Sequence, residues 1–285
     1  MIVRKNRRMR TLTHYLIVNK AVADLLITIF HMPYKLQIQL INRHAVVIGG
    51  QVGLLICKLV GYTQDVSIAC SVLSLMSIAT DRFMAIVFPF KRITWLQRTR
   101  YVIMSLWLVS FLVCSPLLYA NRMEEYQSAF YRYEEWSPLF DPLTGGQNYT
   151  IVQVALFYAL PLFVITVLYT FLEFKVWKRS VPGQAAPSLP PHRTHSMAKK
   201  NLLKLLIIIV CVFVASWLQY HVIYFLQFSS DIYINCNVPE TTMFYCLFVG
   251  HANSAINPCV YFVLHKEYRR GCYTRASPIQ SCSTL

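Results

Sequence analysis

The sequence predicts an all-α membrane protein, a single bundle of spanning helices, and two observations carry that prediction. The first is composition: of 285 residues, 56% are hydrophobic and only 14% charged, where a soluble chain carries about a quarter charged residues. The second is the segregation of charge. No Asp, Glu, Lys or Arg occurs between Arg100 and Arg122, between Asp141 and Glu173, between Lys204 and Asp231, or between Glu240 and Lys266. Each interval is longer than the roughly 20 residues that cross a bilayer as helix.

Two further spans, about 11–35 and 54–86, are equally apolar in outline but carry internal charge, which brings the expected number to six. A net charge of +15 could point to nucleic acid, but its placement points away from it. Arg4, Lys5, Arg7, Arg8 and Arg10 form one basic cluster, and Lys91, Arg92, Arg98 and Arg100 a second. The segment Lys175 to Lys204, and then Lys266, Arg269 and Arg270, complete the alternation. Basic loops of this kind face the cytoplasm, so both chain ends are expected inside. The other loops carry Glu124, Glu125, Glu134, Glu135, Asp141, Asp231 and Glu240 and are expected outside. Asn148-Tyr149-Thr150 in one of them is a glycosylation acceptor pattern. The basic start runs directly into a full-length span, not into the short apolar region and cleavage site of a signal peptide.

Nine cysteines show no metal-ligand spacing, and Cys70, Cys114, Cys211 and Cys259 read as small buried packing residues. No nucleophile–base pair stands out. The expectation is therefore neither an enzyme nor a metal or cofactor protein.

Polar groups inside spans are expensive and functional by default. Asp24 lies in the first span, Ser71 in the second, and Asn253, Ser254 and Asn257 in the last. The stretch NSAINPCVY, residues 253–261, puts Asn257-Pro258 inside an apolar helix with Tyr261 a turn later. Proline there frees a backbone carbonyl, tolerable only where neighbours or water satisfy it. SIATDRFMAI, residues 77–86, ends an apolar stretch in adjacent Asp81 and Arg82. Trp107, Pro161 and Trp217 fall inside three other spans.

Taken in order, these residues resemble a class A, rhodopsin-like G-protein-coupled receptor over roughly residues 1–275, with 276–285 left as a cytoplasmic tail. NKAVADLL is similar to the family's second-helix pattern, and Cys57 to the cysteine at the top of the third helix. DRFMAIVFPF resembles the cytoplasmic end of that helix, and Trp107 the fourth-helix tryptophan. Pro161 with Tyr169 resembles the fifth-helix pair, Phe213 with Trp217 the sixth-helix switch, and Asn257-Pro258-Cys259-Val260-Tyr261 the seventh-helix motif. HKEYRRGC resembles the short amphipathic eighth helix ending in a palmitoylated cysteine, Cys272. The fold class implied is a seven-helix receptor bundle of which helices 2–7 and 8 are represented, because MIVRKNRRMRT resembles only the last turn of the first helix and the loop after it. Other departures are a loop 121–149 without the cysteine that usually bridges to Cys57, Gln219 where the sixth helix has proline, Phe83 after Arg82, and Lys199 at an often acidic position. Cys236 is the other outer cysteine.

The resemblance implies that Asp81 and Arg82 form a breakable latch at the cytoplasmic mouth, the arginine being released to a G protein on activation. The plainer reading is a charge pair marking the membrane interface. Phe90 is implied to enter the G protein, or else simply the bilayer interface. Val72, Pro161 and Phe213 are implied to connect ligand-side shifts to movement of the sixth helix. In relatives, the residues matching Asp24, Ser71, Asn253, Ser254 and Asn257 hold a sodium ion; here Lys20, four residues before Asp24 on the same helical face, is a candidate counter-charge in its place. The alternative is that Lys20 snorkels to the helix end.

For the ligand, a photopigment is disfavoured because no lysine lies between Glu240 and Lys266 and His251 stands at the retinal-lysine position. An amine receptor would put an acid where Gln64 stands; Asp65 is next to it, turned by about 100°. A peptide receptor of the neuropeptide Y and RFamide kind fits Gln64, Asp65, Tyr220, His221, Tyr224 and His251 best, and the acidic outer loop would steer a basic peptide unless it is only a solvated face. Membrane lipid, a heterotrimeric G protein and arrestin are implied partners at the plasma membrane. The C-terminal Ser283-Thr284-Leu285 also fits a PDZ ligand, or a disordered tail. A six-helix transporter would show an internal repeat or broken helices; a truncated, signalling-incompetent receptor is the remaining alternative.

Overall fold

The computed structural model describes residues 11–41, 45–46, 50–88, 98–126, 129–142, 144–178, 191–228 and 240–264. The first span starts as α1 (Leu12–Leu26), passes through a π-helical turn, Ile27–His31, and continues as α2 (Met32–Ile41). The widened turn has a local cause. Pro33 has no N–H to offer the carbonyl four residues back and its ring would strike it, so the chain opens into a π turn just upstream. The same device recurs later: α6 (Gly145–Val154) passes through a π turn, Ala155–Ala159, into α7 (Leu160–Lys178), with Pro161 at the second position of α7.

Next to α1 stands α3 (Gly50–Val87). At 38 residues it measures roughly 57 Å, well beyond the bilayer's apolar core of roughly 30 Å. Its first residue, Gly50, has a φ of 69°, a left-handed conformation that glycine adopts without steric cost. Helix α4 (Thr99–Cys114) is followed after Ser115 by a short α5 (Pro116–Ala120), because Pro116 cannot continue the ladder but suits the first turn of a new helix. Helices α8 (Pro191–Phe228) and α9 (Glu240–Leu264) pack on each other. No π turn interrupts α8, consistent with Gln219 at the position where the family carries proline.

Five stretches among the described residues are long and apolar enough to cross a membrane: Leu12–Gln37, Gly50–Val87, Thr99–Ala120, Gly145–Lys175 and Ile207–Leu226. The sixth expected span coincides with α9, a helix of 25 residues. The outward faces carry Leu25, Met104, Leu112 and Phe163 at more than half exposure, a surface that water would penalise and lipid accepts. Inside, Leu16, Ile17, Val72, Leu75, Ile78, Tyr169, Leu172, Ile209, Phe213 and Trp217 form one core around α3.

The acidic outer loop, expected to steer a basic peptide or else to be only a solvated face, is built as a sheet. β2 (Asn121–Tyr126) and β3 (Ala129–Glu134) form an antiparallel hairpin with Asn121 opposite Glu134, and β1 (Ala45–Val46) adds to the far edge of β3. Asn148, expected in a loop, lies instead in the first turn of α6, its N–H donating to the Thr144 carbonyl at 2.9 Å. The acceptor pattern's Thr150 donates to the Gly146 carbonyl at 3.0 Å. Loop and helix are joined by Trp136, which is buried and lies 5.0 Å from the Tyr149 ring. Gly145 makes room for it: a β-carbon there would sit 2.9 Å from the Trp136 Cβ. Gly145→Ala is therefore expected to destabilise the fold by about 1–3 kcal/mol through overpacking, read as a lowered melting temperature of the purified protein; an unchanged melt would contradict the packing.

Candidate functional site

At the hairpin end of the bundle lies a cavity of about 440 Å³, within the usual range of ligand sites. Five of the six sequence-predicted ligand residues line it: Gln64 and Asp65 from α3, and Tyr220, His221 and Tyr224 from α8. The sixth does not. His251 is 3% exposed and packs edge-on against Trp217, with ring centroids 5.3 Å apart, and against His31 at 5.2 Å. It stands behind Trp217 because Gly250 lets α9 approach the indole closely; a β-carbon on Gly250 would lie 3.2 Å from that ring.

Sequence reasoning missed several wall residues. Tyr34 and Lys35 arrive from α2, Tyr133 and Glu134 from β3, and Tyr149, Thr150 and Gln153 from α6. Asp65 accepts a hydrogen bond from Gln153 Nε2 at 3.1 Å, and the same amide donates to Tyr149 at 2.8 Å. Thr150 and Tyr224 hydroxyls meet at 2.9 Å and tie α6 to α8. At the base, Phe213 and Trp217 belong to both the cavity wall and the central core, so the cavity floor and the helix packing share side chains.

Below the cavity a polar seam joins α1 to α3, with successive contacts descending one helix as they climb the other. Lys20 Nζ donates to Asp24 Oδ2 at 3.0 Å and Oδ1 at 3.3 Å, and to Ser71 Oγ at 2.6 Å, while Ser71 donates to Asp24 Oδ1 at 3.1 Å. Lys20 is 1% exposed and does not reach the helix end. One residue earlier, Asn19 Nδ2 donates to Ser74 Oγ at 3.0 Å, and its Oδ1 accepts from Trp107 Nε1 on α4 at 2.9 Å. Asn253 of the expected polar cluster is buried in α9. Ser254, Asn257, Pro258 and Tyr261 lie in the same helix, but their side chains are outside the described residues.

The far end of α3, roughly 36 Å along the axis from Lys58 near the hairpin, holds the Asp81–Arg82 pair. Arg82 Nη2 donates to Asp81 Oδ2 at 2.6 Å and also to Thr13 Oγ1, and Thr13 in turn donates to Asp81 Oδ2 at 2.6 Å. Thr13 was not foreseen. Its signal was present, since it lies seven residues before Lys20 and so on the same face of α1, but a lone threonine carries no chemistry that singles it out. Tyr169 and Phe213 are buried in the core, and Val72 with them, whereas Pro161 is buried outside that cluster. Phe90, Cys236, Cys272 and Ser283–Leu285 lie outside the described residues, as does the side chain of Lys199.

A bundle of membrane-length helices with a hairpin-capped cavity at one end and the Asp81–Arg82 pair at the other fits a helical membrane receptor. The profile of the 7 transmembrane receptor (rhodopsin family) matches residues 1–261, and the chain belongs to that family. It is thus a G-protein-coupled receptor of the class A type, a family of receptors and not of enzymes. Among curated relatives, the human Substance-K receptor is 31% identical over 275 residues, covering 95% of this chain and 66% of that protein. The QRFP-like peptide receptor of Branchiostoma floridae is 27% identical over 278 residues, covering 96% and 71%. The Substance-P receptor of Aquarana catesbeiana is 27% identical over 276 residues, covering 95% and 64%. The chain spans about two thirds of the length of these relatives.

Proposed function

We propose that this chain is a receptor for an extracellular peptide, one carrying a basic group, and that it passes binding on to a heterotrimeric G protein. The observation that supports this most is the chemistry of the cavity wall. Asp65 and Glu134 sit among Gln64, Gln153 and several tyrosines, with Lys35 the one lysine or arginine lining the cavity among the described residues. A carboxylate held in place by the Gln153 amide is a preorganised acceptor for a guanidinium or ammonium, and the tyrosines offer flat faces to a peptide's apolar and cationic side chains. The peptide part of this reading is supported by the relatives, which are named as a Substance-K receptor, a Substance-P receptor and a QRFP-like peptide receptor.

In this reading Gln64, Asp65, Tyr220, His221 and Tyr224 contact ligand, and His251 acts through Trp217. Phe213, Trp217, Tyr169 and the Asn257-Pro258…Tyr261 segment transmit the change, and Asp81, Arg82 and Phe90 meet the G protein. Basic loops and both chain ends face the cytoplasm, and Asn148 carries a glycan and Cys272 a palmitoyl group. Arrestin, and a PDZ domain on Ser283–Leu285, are further partners.

The test is G-protein dissociation in cells expressing the receptor, challenged with basic and acidic peptides, including those named by the relatives, and with monoamines. Basic peptides are expected to activate, and Asp65→Asn is expected to raise the half-maximal concentration by roughly tenfold or more, the scale of a lost charge-assisted hydrogen bond of about 1.5–3 kcal/mol. Activation by monoamines alone, or unchanged peptide potency in Asp65→Asn, would overturn the reading.

A further inference from the structure

We infer that Lys20 is a tethered cation that takes the place of a mobile monovalent cation at Asp24, so that this receptor carries no sodium regulation at that site. The family resemblance implies sodium at the carboxylate of Asp24. The residues present do not fit it. An ammonium has three protons to donate, and Lys20 Nζ directs contacts to both Asp24 oxygens and to Ser71 Oγ at 2.6–3.3 Å. Ser71 closes the triangle by donating to Asp24 Oδ1. A metal cation would need those same oxygens, and would have to approach them against a positive charge already in contact. Moving Lys20 aside is not a small adjustment. The side chain is 1% exposed, Asp24 is 5% exposed, and a buried ammonium separated from its carboxylate is an uncompensated charge.

Geometry explains why the substitution is possible here. Lys20 and Asp24 are four residues apart on one helix, so their side chains meet without distorting it. Ser71 faces them from α3. A diffusible ion reports the salt around the protein and leaves when the site deforms. A lysine does neither, so the α1–α3 contact keeps its counter-charge in every conformation that preserves α1. This inference does not depend on the ligand being a peptide.

The experiment measures the melting temperature of the purified receptor in sodium, potassium and choline chloride at equal ionic strength. The unmodified protein is expected to melt at the same temperature in all three. Lys20→Met, which vacates the carboxylate while keeping the bulk of the side chain, is expected to gain a rise specific to sodium. Asp24→Asn, which strands the lysine, is expected to melt roughly 5 °C or more below the unmodified protein, and the double variant Lys20→Met/Asp24→Asn to recover most of that loss. A sodium-specific rise in the unmodified protein overturns the inference, and so does a Lys20→Met protein indifferent to sodium. So does an Asp24→Asn protein that melts normally. Should Lys20→Met fail to fold, the salt comparison on the unmodified protein and the Asp24→Asn melt still decide.

Discussion

Replacing Asp81 with asparagine is expected to raise ligand-independent G-protein activation by roughly tenfold or more. The Asp81 carboxylate accepts from Thr13 and from Arg82, each at 2.6 Å, and it holds the guanidinium at the mouth of the bundle. Both bonds are charge-assisted, a class worth about 1.5–3 kcal/mol each. Asparagine keeps the shape but not the charge, so beside its contact with Thr13 Arg82 is left with a neutral amide oxygen in place of the carboxylate. A bias of one such bond moves a two-state equilibrium by roughly 10- to 150-fold. Thr13→Val should act in the same direction and less strongly, because it leaves the Asp81–Arg82 pair intact. Basal nucleotide exchange on a G protein, measured in membranes with receptor amounts matched, is the readout. Wild-type exchange in Asp81→Asn would show that the pair marks the interface and latches nothing.

The second large effect concerns stability. Asn19→Leu is expected to cost about 2–3 kcal/mol. From α1, Asn19 bonds α3 and α4 at once, through Ser74 at 3.0 Å, the Cys70 sulfur at 3.4 Å and the Trp107 indole at 2.9 Å. Interhelical hydrogen bonds within membranes average only about 0.6 kcal/mol each, so their loss alone would be modest. The larger part is the Trp107 N–H, left without an acceptor in an apolar setting. Ser74 loses less, since it still donates to the Cys70 carbonyl at 2.7 Å. Thermal unfolding in detergent should show the loss, with Trp107→Phe intermediate. A leucine variant as stable as the parent would mean that the network contributes nothing net.

These two sites differ in how far the sequence announced them. Spans were legible because lipid enforces long charge-free intervals, and α6 to α9 sit where the gaps in charge put them. Lys20 and Asp24 were legible as a pair because four residues is a contact distance on one helix. Contacts that join distant segments carry no such mark: Thr13 meets Asp81 across 68 residues and Gln153 meets Asp65 across 88. The hairpin was hidden as well, although Phe130 to Glu134 is rich in strand-favouring aromatics, because its acidic residues were read for their charge, as a surface that steers a peptide or is merely solvated. His251 was assigned to the cavity from its place along α9, and spacing along one helix says nothing of the indole on α8 that stands in front of it.

The π turns give the receptor an unusual sensitivity to length as opposed to identity. Each residue of a helix advances the next by about 100°, and a π turn holds one residue more than the α turn it replaces. Removing a single residue between Ile27 and His31 would let the segment close into α-helix and rotate Met32–Ile41 against Leu12–Leu26. Tyr34 and Lys35 would swing off the cavity wall together, while Lys20, Asp24 and Ser71 stayed where they are. The same holds for Ala155–Ala159, which sets the angle between Tyr149 and Gln153 above it and Tyr169 below. A substitution in these spans trims one side chain. A one-residue insertion or deletion re-aims half a helix, so in a lineage of such receptors the places where ligand preference changes abruptly are expected to be single-residue gaps beside Pro33 and Pro161.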